Sequence, residues 1–193
     1  CNSIADTEEA TAIHMVSAFA AEARLVLAQQ KVAAKSNEIT AIPLLLDLLD
    51  LPGKIVTLDA MGCQKSIAKK IREKGADYVL ALKGNQGRLN EEVRLFLETE
   101  IEKTASTAIT NRDDAVDKGH GRIERRVCVV SSQVAWLAQA SEWADLKTLA
   151  MIEETRETGG KTSVERRFFI SSLPEDAKQI VAAVRAHWPI ENN

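Results

Sequence analysis

The stretch KIVTLDAMGCQKSIAKKIREKGADYVLALKGNQG, residues 54–87, decides the fold. Its first segment, 54–60, has the apolar pattern of a buried strand, and residues 77–83 (DYVLALK) repeat that pattern. Between the two, residues 64–74 carry apolar side chains at helical spacing, and Gly75 is the residue type that commonly follows a helix. The order strand, helix, strand predicts two parallel strands joined by a crossover helix within a mixed sheet.

The segments upstream of this unit predict a hairpin and a helix. Residues 12–19 and 24–32 are β-leaning runs separated by a polar break, which is typical of an antiparallel hairpin. Residues 36–38 (SNE) offer capping side chains, and apolar residues recur at helical spacing over 39–49. Residues 1–11 are poor in apolar side chains, so we expect a frayed or disordered lead-in there.

The downstream half predicts a charged helix, a β-rich stretch and a final helix. Residues 104–122 are polar and lack a period, so we expect a loop. Two β-leaning runs flank Gly159-Gly160, a dipeptide typical of a two-residue hairpin turn. The predicted elements are a helix at 88–103, strands at 123–132, 147–157 and 163–172, and a helix at 175–187. The whole order predicts an α/β fold with a mixed sheet, and not a doubly wound one.

Composition excludes several classes of protein. Hydrophobic residues make up 45% and charged residues 27% of the 193, the mix of a soluble globular chain. The net charge of -3 gives no support to a protein that coats DNA nonspecifically, because such proteins are normally basic. Three widely spaced cysteines without a CxxC pair predict neither a disulfide framework nor a structural zinc site. No apolar run approaches the roughly 18 residues of a membrane span, so we expect a cytoplasmic protein.

Asp59 is the sharpest candidate for chemistry. It ends a predicted strand, and ligand sites in open α/β sheets gather outside the carboxyl ends of strands. A carboxylate there can bind Mg²⁺, which prefers oxygen ligands. The competing interpretation is that Asp59 caps the next helix, and spacing alone favours it. Gln64 can orient a water or contact a phosphate, or can simply be a solvated helix residue, and Glu191 by position is typical of a solvated surface residue.

Basic residues offer candidate phosphate contacts. Lys83 precedes a Gly-Asn-Gln-Gly turn whose backbone N–H groups can help to hold a phosphate. The segment 118–126 (KGHGRIERR) is the strongest basic cluster, and its arginines can contact phosphate with two hydrogen bonds each. A solvated charged edge strand is the competing interpretation. Cys63, which opens a predicted helix, leaves a cysteine hydrolase open as an alternative, although no partner residues stand out.

Taken together, six segments resemble the bacterial insertion-sequence transposases called H-repeat-associated or ISAs-type proteins. They occur in the expected order and span nearly the whole chain. The segments are AIHMVSAFA (12–20), KSNEITAIPLLLDLLDL (35–51), IVTLDAMGCQKSIAKKI (55–71), DYVLALKGNQG (77–87), HGRIERR (120–126) and RAHWPIEN (185–192).

The resemblance implies an RNase H-like catalytic domain over 12–193, with a mixed sheet flanked by helices and a β-rich insertion at about 104–172. It implies three acidic residues that hold two divalent cations, Mg²⁺ or Mn²⁺, for phosphodiester hydrolysis and strand transfer at the ends of the element. Asp59 matches the second aspartate and Glu191 matches the final glutamate. The resemblance also implies DNA as partner and a homodimer of the full-length protein in the bacterial nucleoid.

The DNA contacts expected from these segments are Gln64, Lys83, Asn85, His120, Arg122, Arg125, Arg126, Arg185 and His187. There are two departures from the family pattern. The family continues beyond the final glutamate with Leu, Trp and acidic residues on the same helix, whereas this sequence ends at Asn193. The first aspartate, which the family carries in an Ile-Asp-Gly-Lys strand, has no counterpart here, because Asp6 lacks a preceding strand-like run. We therefore expect the isolated chain to be inactive or severely impaired. The alternative hypothesis is a noncatalytic DNA-binding or assembly remnant of a decayed insertion element.

Overall fold

The computed structural model describes residues 14–20, 25–32, 38–119 and 122–191, with side chains described over 40–118 and 123–186. The chain divides into two compact units, Cys1–Leu49 and Asp50–Asn193. The lead-in predicted at 1–11 and the capping residues at 36–37 lie outside the described residues. No helix in the described part of the chain is long and apolar enough to cross a membrane.

The first unit contains the predicted hairpin and helix. Strand β1 (His14–Ala20) pairs antiparallel with β2 (Leu25–Val32), and the register shifts by a bulge between Ala18 and Phe19. Helix α1 (Glu38–Leu48) packs against both strands. Both predictions are confirmed in type and order.

The second unit opens with the crossover that residues 54–87 predict. Strand β3 (Ile55–Leu58) runs parallel to β4 (Asp77–Leu82), and helix α2 (Lys65–Glu73) connects them. The helix turns its apolar stripe inward, since Ile67, Ala68 and Ile71 are fully buried. Gly75 follows the helix with φ of 74°, a conformation that L side chains rarely adopt.

The remaining elements extend the same sheet. A short 3₁₀ turn (Gly84–Gln86) leads into α3 (Gly87–Glu102). Four antiparallel strands and a helix follow: β5 (Asn111–Gly119), β6 (Arg122–Ser131), β7 (Thr148–Thr158), β8 (Lys161–Ser171) and α4 (Ala177–Glu191). The described strands pair in the order β3-β4-β8-β7-β6-β5, and β8 pairs antiparallel with β4. The β-rich stretch is therefore continuous with the β3–β4 pair, and the predicted mixed sheet is confirmed.

The loop predicted over 104–122 is wrong for most of its length. Residues Asn111–Gly119 form β5, which pairs with β6 from Asn111↔Val130 to Gly119↔Arg122. The strand is the outer one of the described sheet and most of its side chains are exposed, so it shows no apolar alternation. A cross-strand ion pair supports it: Arg125 donates two hydrogen bonds to Asp114, at 3.0 and 2.6 Å.

The final helix, α4, ends at Glu191, four residues beyond the predicted end at 187.

Helices cover both faces of the six-stranded sheet. On one face, α4 packs on a cluster that includes Val79, Cys128, Ile152 and Phe169. Side chains alternate along a strand, so the intervening buried residues face the other side, where α2 contacts β4 and α3 contacts β7 and β8. A mixed sheet flanked by helices is compatible with the predicted RNase H-like fold.

A buried ion pair joins β6 to β7. Arg126 and Glu154 lie opposite each other in the register, and Arg126 donates a hydrogen bond of 2.7 Å to Glu154. Both side chains are almost fully buried, at 7% and 5% exposure. Arg156 donates to the second oxygen of Glu154 at 3.0 Å, so the carboxylate bridges two arginines. Such a pair is costly to break, because the remaining charge stays buried without its counter-ion.

Replacing Glu154 with alanine should therefore destabilise the protein by about 3–5 kcal/mol. The free energy of unfolding, measured by urea denaturation, reports the loss. Glu157→Ala serves as the control, because Glu157 lies exposed on the same strand and should change stability little. Equal losses for the two variants would contradict a stabilising role for the buried pair.

Candidate active site

Asp59 lies where the sequence places it, directly after β3 at the carboxyl end of the parallel pair β3–β4. The side chain is exposed. Its Oδ1 accepts a hydrogen bond of 3.2 Å from the Gly62 N–H, so Asp59 also holds the turn that follows it. The interpretation that Asp59 caps α2 is wrong, because the N-cap position of that helix is Gln64.

Residues 59–64 form a compact loop between β3 and α2. The Cys63 N–H donates to the Ala60 carbonyl at 3.2 Å, and the Gln64 N–H donates to the Gly62 carbonyl at 2.9 Å. The Cys63 side chain is fully buried and anchors the loop to the core. The Gln64 amide donates to the Met61 carbonyl at 3.4 Å, within the same loop. The backbone of this loop, named the Asp59 loop here, is therefore folded back on itself.

The turn after β4 reaches across to the Asp59 loop. Asn85 donates a side-chain hydrogen bond to the Ala60 carbonyl, and Gln86 donates one of 2.9 Å to the Cys63 carbonyl. Parallel strands bring their carboxyl ends to one edge of a sheet, which is why residues 23 to 25 positions apart meet there. The sequence predicted that backbone N–H groups of this turn help to hold a phosphate. It did not predict the hydrogen bond from the Gln86 side chain, because no local pattern shows which carbonyl that side chain meets.

Lys83, the last residue before the turn, is exposed at the same edge. It lies close enough to Glu165 of β8 to influence that carboxyl. Arg167, which donates a hydrogen bond of 2.8 Å to Glu165, lowers the pKa of Glu165, and Arg156 and Lys83 lower it further. Lys83, Arg156 and Arg167 thus lie near one another and near Glu165 at the end of β4.

Helix α4 contacts both outer strands of the described sheet, β5 and β3. Its first residue, Ala177, donates its N–H to Asn111 of β5 at 3.3 Å, and the helix also contacts β3. Its 15 residues span about 22 Å, close to the roughly 24 Å across six strands. We infer that the later turns of α4 approach the β3 side. Glu191 is the last helical residue, and its side chain lies outside those described.

The arginines of the basic cluster are engaged within the sheet. Arg125 is exposed but holds Asp114 through two hydrogen bonds. Arg126 is buried against Glu154, so the sheet does not present its side chain to solvent. The competing interpretation of a solvated charged edge strand is wrong for β6, because β6 lies between β7 and β5 and Arg126 is buried. Their contact with DNA stays a prediction, and Arg126 would need to leave its buried pair to make one.

The remaining predicted contacts are only partly placed. Arg185 is exposed on α4. The backbone of Arg122 starts β6 and that of His187 lies in α4, but neither side chain is described. His120 lies outside the described residues.

Asp59 offers a carboxylate, the kind of oxygen ligand that a hard divalent cation such as Mg²⁺ prefers. Among the described residues the Asp59 carboxylate accepts a hydrogen bond at Oδ1 from the Gly62 N–H, and the side chain is exposed, so the carboxylate is accessible to a cation. Mg²⁺ often takes one or two protein carboxylates and keeps several waters. No cluster of three or more His, Cys, Asp or Glu side chains occurs among the described residues, so the described donors complete only part of a site.

A family comparison identifies the chain. Residues 5–193 match the family model described as "Transposase DDE domain". The chain belongs to the transposase DDE domain family. Together with the relatives named below, this match confirms the predicted resemblance to H-repeat-associated transposases.

Named relatives agree with this assignment. This chain is 45% identical over 186 residues to a protein of Escherichia coli O157:H7 named "Putative transposase YncI". It is 43% identical over 189 residues to "H repeat-associated putative transposase YhhI" of E. coli K12, and 49% identical over 165 residues to an uncharacterised protein in the dhlA 3′ region of Xanthobacter autotrophicus. These alignments cover 94%, 94% and 86% of this chain and 47%, 48% and 55% of the relatives. The chain thus spans about half the length of these relatives, and no solved structure matches it.

Cys63 should be chemically inert in the folded transposase chain. Burial, with a smaller effect of the Asp59 carboxylate, raises the pKa of its thiol to about 12. The reactive thiolate is therefore scarce at neutral pH. Treatment with iodoacetamide at pH 8 should leave Cys63 unmodified in native protein and alkylate it in denaturant, as peptide mass spectrometry would detect. Rapid alkylation of native Cys63 would revive the cysteine-hydrolase alternative.

Proposed function

We propose that this chain is part of the catalytic domain of a DNA transposase that cleaves phosphodiester bonds and transfers strands at insertion-sequence ends. The observation that carries the proposal is the position of Asp59. It is an exposed carboxylate at the carboxyl end of a parallel strand pair, with one oxygen held by a backbone N–H. Membership in the transposase DDE domain family supports the same conclusion.

In this proposal Asp59 and Glu191 hold the divalent cations, Mg²⁺ or Mn²⁺. When bound, such cations activate a water or a DNA 3′-hydroxyl and stabilise the leaving oxygen. The contribution of this chain is to fix the Asp59 carboxylate, through the Gly62 N–H, on the rigid end of β3. Helix α4 contacts β3, which Asp59 directly follows, and Glu191 is the last residue of α4. In this proposal the two acidic residues therefore come close enough to share the cations.

We further propose that DNA approaches the edge where β3 and β4 end. Lys83 is exposed there, and the exposed Arg185 lies on the helix that contacts β3. Gln64 and Asn85 are bound to carbonyls of the Asp59 loop, so contacts from them would be made by their remaining polar atoms. The other proposed contacts are His120, Arg122, Arg125, Arg126 and His187.

The relatives named as transposases support DNA as the partner. We propose that the full-length protein acts as a homodimer that holds two DNA ends, and that it works in the bacterial cytoplasm on the nucleoid.

The decisive substitutions are Asp59→Asn and Glu191→Gln in the full-length gene product. Each replaces a charged oxygen donor by a neutral amide of the same shape, so cleavage of DNA carrying the element's ends should fall at least about 100-fold. Cleavage in Mg²⁺ or Mn²⁺, followed on end-labelled DNA, measures the effect. Asp176→Asn is the matched control, because Asp176 is an exposed residue before the start of α4, far along the helix from Glu191.

Persistence of cleavage in both variants would place the site elsewhere. A folded protein that binds DNA without any cleavage would instead favour the noncatalytic remnant. Steeply salt-dependent DNA binding without a metal requirement would point the same way.

Lys83 should act through charge. Lys83→Ala is expected to weaken DNA binding about equally for specific and random sequences and to reduce the slope of log affinity against log salt by roughly one. Fluorescence anisotropy at several salt concentrations measures both quantities. Lys103→Ala is the control, because Lys103 lies at the far end of α3 and pairs with Glu100. An unchanged slope for Lys83→Ala would remove Lys83 from the DNA interface.

A further inference from the structure

Gln86 joins the turn after β4 to the Asp59 loop, as the neighbouring Asn85 also does through the Ala60 carbonyl. Its backbone N–H donates to the Lys83 carbonyl at 3.0 Å, which fixes the turn after β4. Its side-chain Nε2 then donates to the Cys63 carbonyl at 2.9 Å, in a partly buried contact. The side chain therefore ties the end of β4 to the Asp59 loop.

The bond to Cys63 is linked to Asp59 by successive contacts of the loop backbone. The Cys63 N–H donates to the Ala60 carbonyl, and the Gly62 N–H donates to Asp59 Oδ1. The Ala60 carbonyl also accepts the Asn85 side chain, which uses both lone pairs of that oxygen. The Cys63 carbonyl shares its peptide plane with the Gln64 N–H, which donates to the Gly62 carbonyl at 2.9 Å, so a rotation of that plane would disturb the bond to Gly62, the residue whose N–H holds Asp59.

The burial of the loop shows what Gln86 adds. Gly62 is buried and the Cys63 side chain is fully buried, so the core already fixes where the loop lies. Core packing does not orient the peptide planes of the loop, since dispersion contacts are not directional. Hydrogen bonds are directional, and the donor from Gln86 is the one that reaches the loop from a partly buried position on β4's turn.

We propose that Gln86 is a positioning residue for Asp59, which acts through the Cys63 carbonyl to hold the carboxylate in the orientation that binds the divalent cation. The proposal rests on the proposed function, since it gives Asp59 the role of a metal ligand. Groups that orient a ligand from behind it typically change metal affinity by 10- to 100-fold when they are removed.

The test is Gln86→Met, which keeps the length of the side chain and removes the donor. In the full-length gene product, Mn²⁺ affinity measured by electron paramagnetic resonance should weaken about 10-fold. Cleavage should require correspondingly more Mn²⁺ for half-maximal rate and should recover at saturating Mn²⁺. The melting temperature should stay close to that of the wild type. Gln133→Met is the matched control, because Gln133 is exposed in the loop after β6 and should change none of these quantities.

A second variant protects the test against misfolding. Gln86→Asn keeps the amide but shortens it by one methylene, so it should also miss the Cys63 carbonyl and weaken Mn²⁺ binding. If both variants bind Mn²⁺ like the wild type, the positioning role is overturned. If Mn²⁺ affinity falls only in proportion to a lost fraction of folded protein, Gln86 is merely structural and the proposal also fails.

Asp59→Asn, measured in parallel, separates this proposal from the proposed function. Loss of Mn²⁺ binding in Asp59→Asn with wild-type behaviour of both Gln86 variants rejects the role of Gln86 and leaves the metal site intact. Unchanged Mn²⁺ binding in Asp59→Asn rejects both, because Gln86 would then have no ligand to position.

Discussion

The pairing of β4 with β8 is the constraint on which the second unit depends. It joins the parallel β3–β4 pair to the four antiparallel strands that follow, between residues 86 to 92 positions apart, from Leu82↔Phe168 to Val79↔Ser171. Side chains reinforce it, since the Ser172 hydroxyl accepts the Tyr78 N–H at 3.0 Å and the Ser171 hydroxyl donates to the Tyr78 carbonyl at 2.6 Å. These contacts are buried, where an unmade hydrogen bond is costly. Without this pairing, α4 would have no common surface to cover.

The same pairing explains why the candidate site can have members distant in sequence. Because β8 joins the sheet beside β4, the cluster under α4 includes residues of β4, β6, β7 and β8. The helix begins near β5 and contacts β3, so it links the two outer strands of the described sheet. Asp59 directly follows β3 and Glu191 ends α4, and these two elements are in contact. In the sequence, the other strands of the sheet lie between the two residues.

The charged residues of the sheet serve two different purposes. Arg125 and Arg126 hold carboxylates on neighbouring strands, which gives a polar antiparallel region its register. Lys83 directly follows β4 and Arg185 lies on α4, which contacts β4, and both side chains are exposed. The net charge of the whole chain does not show which basic residues are paired within the fold and which are exposed. An acidic protein can still present a local basic surface, provided that its other cations are neutralised by partners within the fold.

The sequence by itself determined the hairpin, the β3–α2–β4 crossover, the β7–β8 hairpin and the two candidate acidic residues. These depend on local periodicity, on glycine at positive φ and on a motif resemblance, all of which short segments carry. The sequence did not reveal β5, because a polar strand owes its structure to the partner β6. Nor did it reveal the contact from Gln86 to Cys63 or the burial of Arg126 against Glu154. Only the tertiary structure decided these, since each joins groups whose meeting depends on the order of strands in the sheet.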